Sequence, residues 1–137
     1  MREILFRGKR RDNGEWIEGD LRHGGYYLND PNVYICCRFA DTIMNYPVDP
    51  ATIGQYTGLK DKNGKRIFEG DILRWVGPDG ESGKVVVVCF GGAFMLKSVE
   101  CPGAAPDLFA DFEIGDQTLE VIGNIHDNPE LLGGADG

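Results

Sequence analysis

The sequence predicts a mostly β fold, and two observations support that prediction. The 137 residues include 20 Gly and 7 Pro, about a fifth of the chain against roughly 12% in an average protein. Only the interval 32–46 runs longer than nine residues without a Gly or Pro, and it reads NVYICCRFADTIMNY. Its β-branched and aromatic residues favour strands. Since an average helix takes about 11–12 residues, helix bundles, doubly wound sheets and TIM barrels are excluded.

The N-terminal third is predicted to form a β-meander. Residues 4–7, an apolar run that ends in Arg7, are predicted as a first strand, and Asp12-Asn13-Gly14 then turns the chain into a second strand around Trp16. The interval 32–46 is predicted as a further strand with a bend near Asp41. Pro47 and Pro50 are expected to close it, because proline fixes φ and lacks a donor for the strand ladder.

The remaining elements are predicted from turn residues and apolar runs. Asn63-Gly64 is typical of a type I′ hairpin turn, which needs positive φ at both central positions. Four valines, 85–88, indicate a central strand covered on both faces. Residues 101–110 are predicted as a loop, and residues 119–125 as a last strand with a bulge at Gly123. Asn128-Pro129 then predicts a short helical turn capped by the Asn128 side chain.

Charge and hydropathy bear on partners and compartment. The net charge is −8, and its acidity lies in residues 76–137, which hold 2 Lys/Arg against 11 Asp/Glu, whereas residues 1–75 hold 12 against 11. A nucleic-acid binder normally shows a basic face, so nucleic acid is not the expected partner. No signal peptide or membrane span is expected, because the longest apolar run is residues 85–90. We therefore expect a soluble, cytoplasmic protein.

The residues with reactive or metal-binding chemistry are scattered. The four cysteines lack C-x-x-C or His spacing suited to zinc and are expected to be buried, reduced thiols: Cys36, Cys37, Cys89 and Cys101. Nucleophile and phosphate-loop motifs are missing from the sequence. Glu69 and Asp71 could form a carboxylate pair, but Asp at such a turn is more typical of a backbone cap. The sequence thus predicts no enzyme, with no catalytic, cofactor-binding or metal-binding residues.

Two charged segments are candidate contact sites. One is the N-terminal basic cluster Arg7, Lys9, Arg10 and Arg11, which acidic residues follow closely. The other is the tip of the central hairpin, with the candidate partner-binding residues Lys60, Asp61, Lys62, Lys65 and Arg66. Either set could also form an ordinary solvated turn.

Three blocks of turn glycines and strand residues resemble the YopX family of small phage and prophage proteins. They are FRGKRRDNGEWIEG (Phe6–Gly19), VDPATIGQYTGLKDKNGKRIFEGDI (Val48–Ile72) and VIGNIHDNPELL (Val121–Leu132). The resemblance implies a predominantly β protein that includes an SH3-like barrel. The segments 20–46 and 100–113 match no motif of the family, so a surface specific to this protein could lie in either.

These observations lead to one predicted architecture and two functional hypotheses. At roughly 100–200 residues per domain, we expect a single β domain over residues 1–132, with a disordered tail over 133–137. The first hypothesis is a non-enzymatic accessory protein that binds a host or phage protein and forms a homo-oligomer. The second is a nucleic-acid-binding module that uses the barrel and the N-terminal basic cluster. Fold-level analogy supports the second hypothesis.

Overall fold

Antiparallel strands dominate the fold, as the sequence predicts. A computed structural model describes residues 4–25, 27–77, 79–90, 92–100, 107–108 and 118–132. Two 3₁₀ turns, Pro50–Thr52 and Pro129–Leu131, accompany the strands. The strands are β1 (Phe6–Lys9), β2 (Trp16–His23), β3 (Val33–Phe39), β4 (Thr42–Val48), β5 (Gly54–Lys60), β6 (Arg66–Phe68), β7 (Asp71–Val76), β8 (Ser82–Phe90), β9 (Ala93–Ser98), β10 (Asp107–Leu108) and β11 (Thr118–Asn124). No helix in these described ranges is long and apolar enough to cross a bilayer.

The chain divides into two compact units, residues 1–56 and 57–137. In the first unit the strands lie in the order β4-β3-β2-β1, and the start of β5 pairs with β1. Ile35 and Val48 are fully buried there. A single bridge between Arg10 and Val48 brings the end of β4 back to the chain just after β1. The single domain and the SH3-like barrel both stay predictions.

The second unit contains the sheet β10-β9-β8-β7-β11 and the β5–β6 hairpin. Its core is an apolar cluster of Ile67, Leu73, Val85, Val87, Leu96 and Leu119. Each fully buried aliphatic side chain of this kind contributes about 1.5–3 kcal/mol. The four-valine strand β8 is central, as predicted, with β7 and β9 on its two sides. It is not fully covered on both faces, because Val85 and Val87 are buried while Val86 and Val88 are half-buried.

Several local predictions are confirmed. The loop after β1 turns the chain at residues 11–13 and pairs Lys9 with Trp16. The register between β7 and β11 shifts between Val121 and Gly123, which is the predicted irregularity in the last strand. A short helical turn does follow Asn128.

Other local predictions need correction. The interval 32–46 is not one bent strand but the β3–β4 hairpin, and β4 continues through Pro47 to Val48. Asn128 makes no capping bond with its side chain, whose Oδ1 accepts instead from the amide of Asn124 at 3.2 Å. Within the predicted loop 101–110, residues 107–108 form β10 and pair with β9. The rest of that loop, the predicted tail 133–137 and Cys101 lie outside the described residues.

The turn at Asn63-Gly64 is of a different type from the one predicted. Gly64 has φ of +82°, but Asn63 is not among the described residues with positive φ, so type I′ is wrong. The amide of Gly64 donates to the carbonyl of Asp61 at 2.9 Å, and the amide of Asp61 donates to the carbonyl of Lys65 at 2.8 Å. Asp61 also accepts the Asn63 and Lys65 amides with Oδ1. These hydrogen bonds favour a type I turn followed by a glycine in the left-handed backbone conformation.

The Gly64 position provides a test of that turn. We expect Gly64→Val to lower the free energy of unfolding by about 1–3 kcal/mol, because a β-branched residue is strained at positive φ. No atom lies within 4 Å of a Cβ added there, so backbone strain alone sets the loss. Gly64→Asn is the control and should lose less, since Asn tolerates this conformation. Urea unfolding measures both, and equal stability of the Val variant and the wild type would contradict the turn assignment.

Candidate functional site

Three exposed apolar side chains lie close together at the end of the β3–β4 hairpin, residues 38–44, which we call the arm. Every residue of the arm is exposed. Phe39 and Ile43 each keep 54% of their surface accessible, and Met44 keeps 41%. Scattered apolar residues are ordinary on protein surfaces. Here Phe39 and Met44 lie on one face of the hairpin and Ile43 on the other, so the arm exposes apolar side chains on both faces and is a candidate interaction site.

The arm follows directly from its sequence. Residues 33–39 and 42–48 are two strands of ordinary length. They are joined at Ala40-Asp41, where Ala40 has φ of +55°. Such a conformation is strained for alanine, and strain of this kind is often found at functional sites. No glycine marks the turn, which is why the sequence indicated only a bend.

The base of the arm is fixed by residues of the N-terminal basic cluster. The Arg10 guanidinium lies 4.3 Å from the centre of the Tyr46 ring and is bonded to the Asp12 carboxylate at 2.7 and 3.0 Å. This hydrogen bond lowers the pKa of the Asp12 carboxyl. Arg11 donates to the Asn32 side chain at 3.1 Å, and its amide donates to the carbonyl of Pro47 at 3.0 Å.

The other members of the basic cluster also have partners. Arg7 is only 8% exposed, and its guanidinium lies 4.6 Å from the centre of the Trp16 ring. Lys9 approaches the same ring at 5.5 Å. Cation–π contacts of this kind hold both side chains against the sheet. The cluster therefore supports the fold of the first unit instead of forming an open basic face.

A cleft of about 410 Å³ lies on one face of β2, β3 and β4. Cross-strand pairing places Asp20 beside Cys36 and Cys36 beside Asn45, while Arg38 lies opposite Ile43. Further lining residues are Arg22 and Cys37. The Asn45 side-chain oxygen is buried without a hydrogen-bond partner among the described residues. Both polar and apolar side chains line the cleft, which includes Arg38 and Ile43 of the arm.

Cys37 of the cleft is poorly suited to nucleophilic chemistry. Burial raises the pKa of the Cys37 thiol, and the neighbouring Cys36 raises it further. The Cys37 thiol donates to the carbonyl of Glu18 at 3.3 Å. A protonated, hydrogen-bonded thiol is a weak nucleophile. Cys36, Cys37 and Cys89 are free, as predicted, but Cys36 and Cys37 are only half-buried and Cys89 is exposed, so the prediction of burial is wrong for these three.

The predicted hairpin tip has a strong structural role at Asp61. This residue is 8% exposed. Its carboxylate accepts the amides of Asn63, Lys65 and Val121 at 2.8–3.0 Å. The amide of Lys62 donates to the carbonyl of Leu119 at 3.0 Å, and its ammonium group lies 3.7 Å from Glu120. The tip is thus attached to β11. Lys60, Lys65 and Arg66 are exposed, and the partner-binding role of the tip stays a prediction.

The carboxylate of Asp71 is a backbone cap, which is the more ordinary of its two interpretations. Asp71 is 1% exposed, and its Oδ2 accepts the amide of Phe68 at 2.8 Å. Across the part of the chain that the structure describes, no three His, Cys, Asp or Glu side chains group in a way that could hold a metal ion. The two features that stand out are therefore the exposed arm and the cleft beside it.

The fold and the arm together define a small antiparallel β protein that exposes an apolar hairpin. The YopX protein family model matches residues 5–133, and the chain belongs to this family. Protein EF1440 from Enterococcus faecalis is similar in structure, with a TM-score of 0.57 and 27% identity over 96% of this chain and 99% of that one. YopX from Bacillus subtilis shares the fold, with a TM-score of 0.58 and 17% identity over 96% and 97% of the two chains. No curated protein matches the chain.

Proposed function

We propose that this YopX-family chain is a non-enzymatic accessory protein of phage or prophage origin that acts by binding protein in the bacterial cytoplasm. The observation that carries the proposal is the arm. Its apolar side chains at Phe39, Ile43 and Met44 are 41–54% exposed. Covering such side chains with another protein surface is favourable at about 25 cal/mol per Å² of apolar area.

Placement of the arm also supports this proposal. Its base is held by the Arg10–Tyr46 contact, the Arg11–Asn32 hydrogen bond and the Arg10–Val48 bridge. A binding loop is most effective when a rigid scaffold positions it, because less conformational freedom is then lost on binding. The arm also lies within residues 20–46, where the sequence shows no family motif. A surface specific to this protein is expected in such a segment.

The nucleic-acid hypothesis has no comparable observation in its favour. Phosphate binding needs cationic groups that can reach the ligand. In the N-terminal basic cluster, Arg7 is buried, Arg10 is bonded to Asp12 and Arg11 is bonded to Asn32. We therefore keep protein as the proposed class of partner.

Capture of partners on the immobilised chain tests the proposed function. We expect the double variant Phe39→Ser with Ile43→Ser to lose bound protein that the wild type retains, because it removes apolar contacts from the arm. The control is Ile4→Ser with Leu28→Ser, which changes two exposed apolar residues outside the arm, 71% and 88% accessible. Bound proteins are identified by mass spectrometry, and binding is repeated with each purified protein and with a differently tagged copy of this chain.

The control variant decides the interpretation of that experiment. Both variants should keep the wild-type circular dichroism spectrum, because every substituted residue is exposed. If the arm variant binds the same purified proteins as strongly as the control, the arm is not the binding surface. If none of the purified proteins binds the wild-type chain, the proposed function is wrong.

A further inference from the structure

We propose that a second copy of this chain adds to the open edge of β4, antiparallel to it and about a two-fold axis through Met44. The inference rests on the proposed function and names the partner of the arm. The resulting dimer would have one sheet that continues from β4 of one copy to β4 of the other. Strand addition to an exposed sheet edge is a common mode of recognition.

The outer edge of β4 presents free backbone groups. At its end, the carbonyl of Pro47 accepts from the amide of Arg11 at 3.0 Å, and the amide of Asp49 donates to the carbonyl of Lys9 at 2.9 Å. Pro47 therefore points its backbone carbonyl away from β3. Since outward-pointing residues alternate along an antiparallel strand, Ile43 and Asn45 also direct their N–H and C=O groups outward. No strand in the described ranges lies beyond β4 in this sheet.

This open edge is self-complementary. A two-fold axis through Met44 sets Ile43 opposite Asn45 of the second copy, and Asn45 opposite Ile43 of the second copy. All four outward groups of each copy then form hydrogen bonds in the pattern of an antiparallel ladder. The pairing ends at Pro47, which has no N–H and whose carbonyl already accepts from Arg11. A longer strand from another protein would meet this closed end, whereas the short symmetrical pairing fits the open length.

The side chains and charges of the arm suit the same partner. Met44 would face Met44 of the second copy in a non-hydrogen-bonded pair, where Cβ atoms lie about 4.5–5.5 Å apart. Pairing of Phe39 with Thr42 and of Cys37 with Met44 places Phe39 on the same face of the hairpin as Met44. Residues 1–56 contain 7 Lys/Arg and 8 Asp/Glu. This unit is close to neutral, so its own charge does not oppose the approach of a second copy.

Introducing a charged residue of either sign at Met44 tests the two-fold symmetry directly. We expect sedimentation equilibrium to give the wild type a molar mass twice that of the 15.1 kDa chain. Met44→Glu and Met44→Lys should each dissociate at least about tenfold more readily, because like charges would then face each other on the axis. An equimolar mixture of the two variants should re-form dimers. Leu28→Glu, at a residue 88% exposed outside the arm, is the charge control and should stay dimeric.

The possible results distinguish failure of the dimer from failure of the proposed function. A wild type that stays monomeric, a Met44→Glu variant that dimerises normally, or a mixture that does not re-associate would overturn the dimer. If the wild type is monomeric but a different purified protein binds through the arm, the proposed function holds and the second copy is wrong. If the wild type is monomeric and no purified protein binds, both are wrong. The melting temperatures of both Met44 variants should match that of the wild type at dilutions where it is monomeric, since Met44 is 41% exposed and its substitution should not disturb the fold.

Discussion

Gly19→Ala is expected to destabilise the protein by about 3 kcal/mol, at the upper end of what overpacking a folded chain costs. A Cβ atom added at Gly19 would overlap the carbonyl oxygen of Cys36 and lie 3.1 Å from Cγ2 of Ile35. The nearer atom belongs to the backbone of β3, so a change of side-chain rotamer cannot relieve the overlap. The strands β2 and β3 would have to move apart where Asp20 pairs with Cys36.

The control for this prediction is a Gly→Ala substitution at a glycine that has no neighbouring atoms to overlap. Gly14→Ala also places a Cβ on a glycine, at φ of +74°, but no atom lies within 4 Å of it. We expect it to lose only about 1 kcal/mol, from backbone strain alone. Urea unfolding gives both free energies, and hydrogen exchange locates the loss, which should be greatest in β2 and β3. Equal stability of the two variants would show that β2 and β3 do not approach this closely.

Turns marked by glycine could be predicted from the sequence, whereas turns without it could not. Asp12-Asn13-Gly14 and the central hairpin were located correctly. The bulge near Gly123 was also located, and a Cβ there would lie 2.5 Å from the Asn128 side chain. The β3–β4 hairpin was missed because Ala40, not glycine, has positive φ at its turn. Its length was the available signal, since an uninterrupted interval of 32–46 is too long for an average strand.

Side-chain roles were less predictable than strands, because they depend on distant residues. Asp61 looked like one charge among several on a solvated tip. Its carboxylate reaches the amide of Val121, 60 positions away in the chain, and no local pattern indicates that contact. The roles of the basic cluster were also not predictable, because the Arg7 side chain packs on Trp16 and Arg10 packs on Tyr46, and local sequence indicates neither contact. The candidate arm emerged from exposure and sheet order, which only the folded chain provides.

Asp61→Ala is expected to lower the free energy of unfolding by about 3 kcal/mol or more. Hydrogen bonds to a charged group contribute about 1.5–3 kcal/mol each, and this carboxylate accepts three, from Asn63, Lys65 and Val121. Its removal would leave these amides without the carboxylate and weaken the attachment of the hairpin to β11, where the contacts of Lys62 remain. Asp79→Ala is the control, because Asp79 is exposed and its loss should change stability by less than about 0.5 kcal/mol.

The pH dependence of that loss identifies the charged carboxylate as its cause. Burial alone would raise the pKa of Asp61, but the amides of Val121, Lys65 and Asn63 outweigh it and hold the pKa below its usual value. The unfolded chain then binds the proton more tightly than the folded chain, so the stabilisation is complete above about pH 5 and falls as pH drops through the folded pKa. The difference in unfolding free energy between wild type and Asp61→Ala should therefore be largest near neutral pH and shrink in acid. A difference that stays constant down to about pH 2, below the unfolded pKa of about 3.9, would mean that packing and not the ionised carboxylate holds the hairpin to β11.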